Sequence, residues 1–193
     1  DVQVAFVDTD AIGAHESRTD GVMENAAEAM LLAQICTALG RGGLAASDIG
    51  VLTPYRHQAR LLKTSCAAEV LTVDQSQGRD WPVVLVSLVR SNAQGSAGTL
   101  LRDVRRLNVL LTRAKRKLVL VGSARTLSGH DGDGQRPMPR LMRLLRDAEA
   151  IYAVPATQHA TKTSPSKQRA VKTQRVARVA AEALYEHGLD GYL

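Results

Sequence analysis

A chain of 193 residues, 45% of them hydrophobic, is long and apolar enough to build one domain with a real core, which excludes global disorder. Aromatic residues make up only 3%, so the core is expected to be aliphatic, and a sheet face that stacks RNA bases is not expected. The net charge of +6 suits a polyanionic partner through long-range Coulomb attraction, and equally suits a soluble protein that is merely basic.

In chain order, five short apolar runs read as strands: 2–7 (VQVAFV), 49–53 (IGVLT), 69–73 (EVLTV), 82–89 (PVVLVSLV) and 117–122 (KLVLVG). Several are nearly continuous rather than alternating, the pattern of strands buried on both faces in a parallel sheet. Between them lie helical patterns. Residues 24–40 place Ala27, Met30, Leu31, Ile35 and Leu39 on one stripe, with Asn25 as cap and Gly40 at the exit. Residues 55–65 form a second helix after Pro54. Residues 100–115 align Leu101, Val104, Leu107 and Leu111, with Asn108 the polar member of that face and Arg102, Arg106 and Arg113 opposite. A last amphipathic run covers 138–150. The alternation predicts an α/β fold, a parallel sheet sandwiched by helices over residues 1–154, with ligands at the carboxyl ends of the strands. Residues 155–193 read as a basic flexible tail, with a short closing helix over 176–188.

Cys36 and Cys66 have no metal-ligand spacing and read as small buried hydrophobes in a reducing, intracellular compartment. No uncharged stretch is long enough to span a membrane, so no membrane partner is expected. No G-x-x-x-x-G-K-[ST] loop, G-x-G-x-x-G, G-x-S-x-G or H-E-x-x-H occurs, and the histidines are scattered, so no self-contained catalyst is expected. The chain opens directly on a strand pattern and reads as part of something longer.

Three segments carry the chemistry. In LTPYRHQ (52–58) a strand ends, Pro54 breaks it and a helix begins, a natural phosphate site. Thr53 offers a hydroxyl to a phosphate, Tyr55 a ring for a base, and Arg56 and Gln58 occupy the first turn. On its own, the segment is an ordinary capped helix. In TVDQSQGRDWP (72–82), hydrogen-bonding side chains crowd between two buried strands, and Gly78 permits a tight turn. In RRLNVLLTRAKRKLVLVG (105–122) six cations, Arg105, Arg106, Arg113, Lys115, Arg116 and Lys117, surround a helix and the start of a strand. Arginine presents a rigid, permanently charged donor fork that matches phosphate.

In this order and spacing the segments resemble the second RecA-like domain of superfamily 1B helicases. TVDQSQGRD is similar to motif V, RRLNVLLTRAK to motif VI, and NAAEA and IGVLTPYRHQ to the segments upstream. QGRDWPVVLVSLVRSN and LLRDVRRLNVLLTRAKRKLVLVG resemble the DNA replication ATP-dependent helicase/nuclease family in particular. The RNA helicases of nonsense-mediated decay share the outline but typically carry Glu where this chain has Asp80. The resemblance implies ATP with Mg²⁺ between two RecA-like domains, the Mg²⁺ held mainly by the first. Arg113 would be the arginine finger, and Gln77, Gly78 and Asp80 would line the nucleotide, Asp80 near the ribose. Thr53, Tyr55, Arg56 and Thr72 would contact single-stranded DNA. The implied partners are that strand and the first motor domain of the same protein, in the nucleus or nucleoid. Without a P-loop the chain alone is expected not to hydrolyse ATP. Two alternatives stay open: an RNA helicase of the same superfamily, and a nucleic-acid-binding module that has lost ATP coupling.

Overall fold

The computed structural model describes residues 2–19, 21–129 and 136–156. The predicted tail and closing helix lie outside these residues, apart from the first positions of the tail.

Six strands form one sheet: β1 (Gln3–Asp8), β4 (Ile49–Thr53), β5 (Glu69–Thr72), β6 (Trp81–Ser87), β7 (Ala114–Gly122) and β8 (Ile151–Ala153). Their order is β5-β4-β6-β7-β1-β8, and every neighbouring pair is parallel. The apolar runs produce this directly. All five residues of β4 are buried, as are six of the seven in β6, because both faces of the sheet are covered by helices.

Alternate residues of each strand feed the two halves of the core. One face carries Val7, Val51, Val83, Leu85 and Val119 under α1 (Ala26–Arg41) and α2 (Arg56–Lys63). The other carries Phe6, Leu52, Val84, Val86 and Leu120 under α3 (Val104–Leu111), α4 (Ala124–Ser128) and α5 (Pro137–Asp147). This is the sandwiched parallel sheet that the sequence predicts. A small antiparallel hairpin, β2 (Ser17–Thr19) with β3 (Val22–Glu24), stands apart from it.

Several boundaries differ from expectation. α1 is capped by Asn25, whose side chain accepts the Glu28 N–H at 3.1 Å, and runs through Gly40 to Arg41. Its buried stripe is Leu31, Leu32, Ile35, Cys36 and Leu39 together with Glu28, while Met30 is 41% exposed. α3 starts only at Val104, because the Asp103 carboxylate accepts the N–H groups of Arg105 (2.9 Å) and Arg106 (3.4 Å) and fixes the first turn there. This rotates the expected face: Leu107 and Leu110 are buried, whereas Val104 and Asn108 are exposed. β7 begins three residues early, at Ala114, so Lys115, Arg116 and Lys117 belong to a strand. The β2–β3 hairpin and β8 were not foreseen, since runs of three residues carry no readable period.

Candidate nucleotide edge and strand edge

Parallel strands give the sheet two distinct rims, and the predicted site residues divide between them. Asp80 and Arg113 immediately precede β6 and β7, at the amino rim. Thr53 and Thr72 are the paired last residues of β4 and β5, at the carboxyl rim. The level of Trp81 and the level of Ser87, which matches Thr53, are six residues apart on β6, or about 20 Å at a rise of ~3.3 Å per residue. The expected ligand residues therefore lie at both rims, not at the carboxyl ends alone. The segment 73–80 does not sit on one rim but crosses from the carboxyl end of β5 to the amino end of β6.

At the amino rim the Trp81 N–H donates to the Arg113 carbonyl at 3.0 Å, which locks Asp80 and Arg113 side by side. The register shifts between Trp81 and Val83, and this puts the Trp81 indole over Gly50. A Cβ at Gly50 would lie 2.5 Å from the indole, so only glycine fits there. Arg113 is folded back on its surroundings. Its Nε donates to the Val109 carbonyl (3.0 Å), Nη2 to the Thr112 hydroxyl (2.9 Å) and Nη1 to the Arg79 carbonyl (3.3 Å). Nη1 also lies 3.3 Å from an Asp80 carboxylate oxygen, and the side chain is only 19% exposed. Gly78 has φ +77°, a left-handed turn that favours glycine. Gln77 and Gly78 are exposed beside it. Arg79 pairs with Glu69, and Arg106 binds Asp74 through Nε at 3.0 Å and Nη2 at 3.3 Å. Lys115 and Arg116 are exposed, whereas Lys117 is buried beside Gln3, and burial lowers its pKa. The dense cations are thus not one outward face: two are tied to carboxylates and one is inside the strand layer.

At the carboxyl rim Thr53 is fully buried and its hydroxyl accepts the Tyr55 N–H at 3.4 Å, so it shapes the turn into α2. Thr72 is 9% exposed, with its hydroxyl donating to Gln75 Oε1 at 3.1 Å. Arg56 is exposed and Tyr55 half-buried. Gln58, read from sequence as part of a polar first turn, is completely buried.

Gln58 belongs to a network that sequence reasoning missed. Its amide accepts the Asn25 N–H (2.9 Å) and donates to the Asn25 carbonyl (3.0 Å) and to the Ser87 hydroxyl (2.9 Å). Ser87 donates to Glu28 at 2.7 Å, and the same carboxylate oxygen accepts the Val89 N–H at 2.9 Å. Burial pushes the Glu28 pKa up to about 8, against the pull of these donors. Val89 sits at φ +68°. A β-branched residue there is a real outlier, stabilised by its surroundings. The available signal was a Glu inside an apolar helical stripe and a Gln at a core-facing position of α2, each meaningful only when seen with the other.

Among the described residues no group of three or more His, Cys, Asp or Glu is placed to hold a metal ion, and no helix is long and apolar enough to cross a membrane. Cys36 is buried and Cys66 partly buried, both as free thiols.

A protein-family model described as "AAA domain" matches residues 1–125. The chain is 39% identical over 161 residues to the DNA replication ATP-dependent helicase/nuclease DNA2 of Homo sapiens, a stretch covering 81% of this chain and 15% of that protein. It is 39% identical over 163 residues to the dna2 protein of Schizosaccharomyces pombe, covering 82% and 11%, respectively. With the helicase/nuclease JHS1 of Arabidopsis thaliana it shares 45% over 130 residues, 65% of this chain and 10% of that one. The chain thus spans a tenth to a seventh of the length of these relatives. The parallel sheet, the motif V and motif VI segments that meet at its amino rim through Asp80 and Arg113, and the family match agree: the chain belongs to this AAA domain family, as a second RecA-like domain of the superfamily 1B helicase type.

Proposed function

We propose that this chain is the C-terminal motor domain of an ATP-dependent DNA helicase, of the helicase-nuclease kind, which completes an ATP site at its amino rim and carries single-stranded DNA on its carboxyl rim. The observation that carries this reading is the segment 73–80. It begins beside Thr53, where the Val73 N–H donates to the Thr53 carbonyl at 3.1 Å, and ends at Asp80, in ionic contact with Arg113. One short connection therefore joins the two expected ligand sites.

The residues of the amino rim fit a nucleoside triphosphate. Arg113 offers a rigid cationic fork for phosphate, Asp80 an acceptor for ribose hydroxyls, and Gly78 an open backbone. Bound ATP with Mg²⁺ supplies the phosphoanhydride bond and the metal's charge; a first motor domain bearing a P-loop holds their other side. As a finger, Arg113 would exchange its contacts with Val109, Thr112, Arg79 and Asp80 for phosphate oxygens. Asp80 would accept ribose hydroxyls, which compete with Arg113 for its carboxylate. Arg113 would then stabilise charge on the transferring phosphoryl group, a role worth about 10³–10⁵ in rate. On the other rim, Arg56 and Thr72 contact phosphates and Tyr55 stacks on a base, contacts that ignore sequence as a translocating motor needs.

The test is ATP turnover by the complete protein, with and without single-stranded DNA. Arg113→Ala is expected to lower turnover by about 10³ or more and to leave single-strand affinity within about twofold of wild type, because Arg113 lies on the opposite rim. Turnover within tenfold of wild type would overturn the assignment.

A further inference from the structure

The proposed strand track leaves one elaborate feature of the carboxyl rim unused. After β6 the chain turns sharply at Val89, φ +68°, with its N–H bound by Glu28 and its carbonyl accepting from Asn25 Nδ2 at 3.2 Å. The turn sends Arg90 toward Tyr55, at the start of α2. The Arg90 side chain is 13% exposed, and its Nε lies 3.1 Å from Glu16 Oε2. That N–H is not aimed at the carboxylate and has no hydrogen-bond partner, so the contact is Coulombic. Glu16 holds the segment more widely: the same oxygen accepts the Ser91 N–H (2.8 Å) and Asn92 Nδ2 (3.0 Å), and the Glu16 N–H donates to the Ser91 carbonyl (3.2 Å).

The far end of Arg90 meets Tyr55. Both converge on Gly98, where a Cβ would stand 2.9 Å from Arg90 Nη1 and 3.4 Å from Tyr55 Oη. Gly98 itself has φ +73°, so the seat is built from a glycine in a backbone state that side chains disfavour. The Arg90 cation lies near the Tyr55 hydroxyl, and its charge opposes the upward push of burial on the phenol. A strained valine, a largely buried ion pair and a donor without a partner are each unfavourable for folding. Together they place the Arg90 guanidinium beside the phenol end of Tyr55, next to Gly98.

We propose that Arg90, clamped by Glu16, is a positioning residue of the strand edge: it holds the Tyr55 ring at the angle at which a base of single-stranded DNA stacks on it. The inference rests on the strand track proposed above and adds a residue to it. Arg90 acts through Tyr55 and does not itself neutralise a phosphate.

The experiment is the affinity of this chain for a fluorescent oligo(dT), by anisotropy over a series of salt concentrations, with Trp81 emission as the check on folding. Tyr55→Ala is expected to weaken binding about tenfold, the loss of one base stack. Arg90→Lys keeps the charge but not the fork, and is expected to weaken binding about fivefold with the slope of log K against log salt unchanged. In the double variant the losses do not multiply: Arg90→Lys adds nothing once Tyr55 is Ala. Glu16→Gln, which leaves Arg90 in place but unclamped, reproduces the Arg90→Lys result and stands in should that variant not fold. Wild-type affinity for both Arg90→Lys and Glu16→Gln overturns the proposal. So do losses that multiply with Tyr55→Ala, and so does a fall in slope of about 0.7, the mark of a lost phosphate contact. Wild-type chain that does not bind oligo(dT) at low salt overturns the strand track itself, a result distinct from these.

Discussion

Replacing Glu28 by Gln asks whether a carboxyl group titrates inside the folded protein. Glu28 is fully buried and its pKa is pushed to about 8, desolvation outweighing the donors Ser87 and Val89, with the Glu16 charge adding to the rise. In the unfolded chain a glutamate titrates near ~4.3. Between these values the folded state binds one proton more than the unfolded state. Stability from this group is therefore fully present below about pH 4 and is lost as pH rises through about 8, at about 1.4 kcal/mol per pH unit. Summed over that window the loss is on the order of 5 kcal/mol, a large share of the ~5–15 kcal/mol of a typical domain. Glu28→Gln cannot ionise. Its amide carries two N–H groups where the neutral acid carries one O–H and costs about 1–3 kcal/mol at pH 5, but at about 1.4 kcal/mol per pH unit it becomes the more stable protein from about pH 6–7 upward. Urea unfolding followed by Trp81 fluorescence from pH 5 to 9 measures both proteins, and contributions common to the two cancel in the difference. Parallel stability curves for the two would refute the reasoning.

Gly50→Val places methyl groups where a Cβ alone would come within 2.5 Å of the Trp81 indole. Overpacking of this kind costs about 1–3 kcal/mol or more, and the displaced indole is expected to show a shifted emission maximum as well as a lower urea midpoint. Asp103→Ala removes the cap that accepts two N–H groups of α3 and is expected to cost about 1 kcal/mol in the same unfolding assay, with the Trp81 emission unchanged.

How much of this was legible follows from the range over which each signal acts. β4 was read residue for residue, because an uninterrupted apolar run bounded by Pro54 leaves little choice. The Asn25 cap was legible for the same local reason. α3 was read too long, since Leu101 continues the helical spacing and only the Asp103 cap, a competing local hydrogen bond, cuts it short. Asp80 and Arg113 were found as motif residues, yet nothing local states that they meet. Their contact follows from β6 and β7 being neighbours in a sheet where β4 and β5 are displaced to one side. The Glu28–Gln58–Ser87 network joins residues 29 to 59 positions apart, and no period in the chain encodes such a partnership. Burial of Thr53 was likewise invisible, as a threonine at a strand end looks the same whether its hydroxyl faces solvent or the following N–H.

The crossing segment 73–80 also sets a ruler. From Thr72 to Trp81 the straight line is about 22 Å, two strand spacings sideways and six residues along. Nine Cα steps can reach about 30–32 Å at full extension, and the difference is taken up by the turn at Asp74–Ser76, where the Ser76 hydroxyl donates to the Val73 carbonyl at 2.7 Å. Two residues fewer would leave seven steps and about 23–25 Å, a taut cord with no length left for that turn. The composition of this stretch is open to change wherever a side chain faces solvent, but the width and height of the sheet beneath it set a minimum on its residue count.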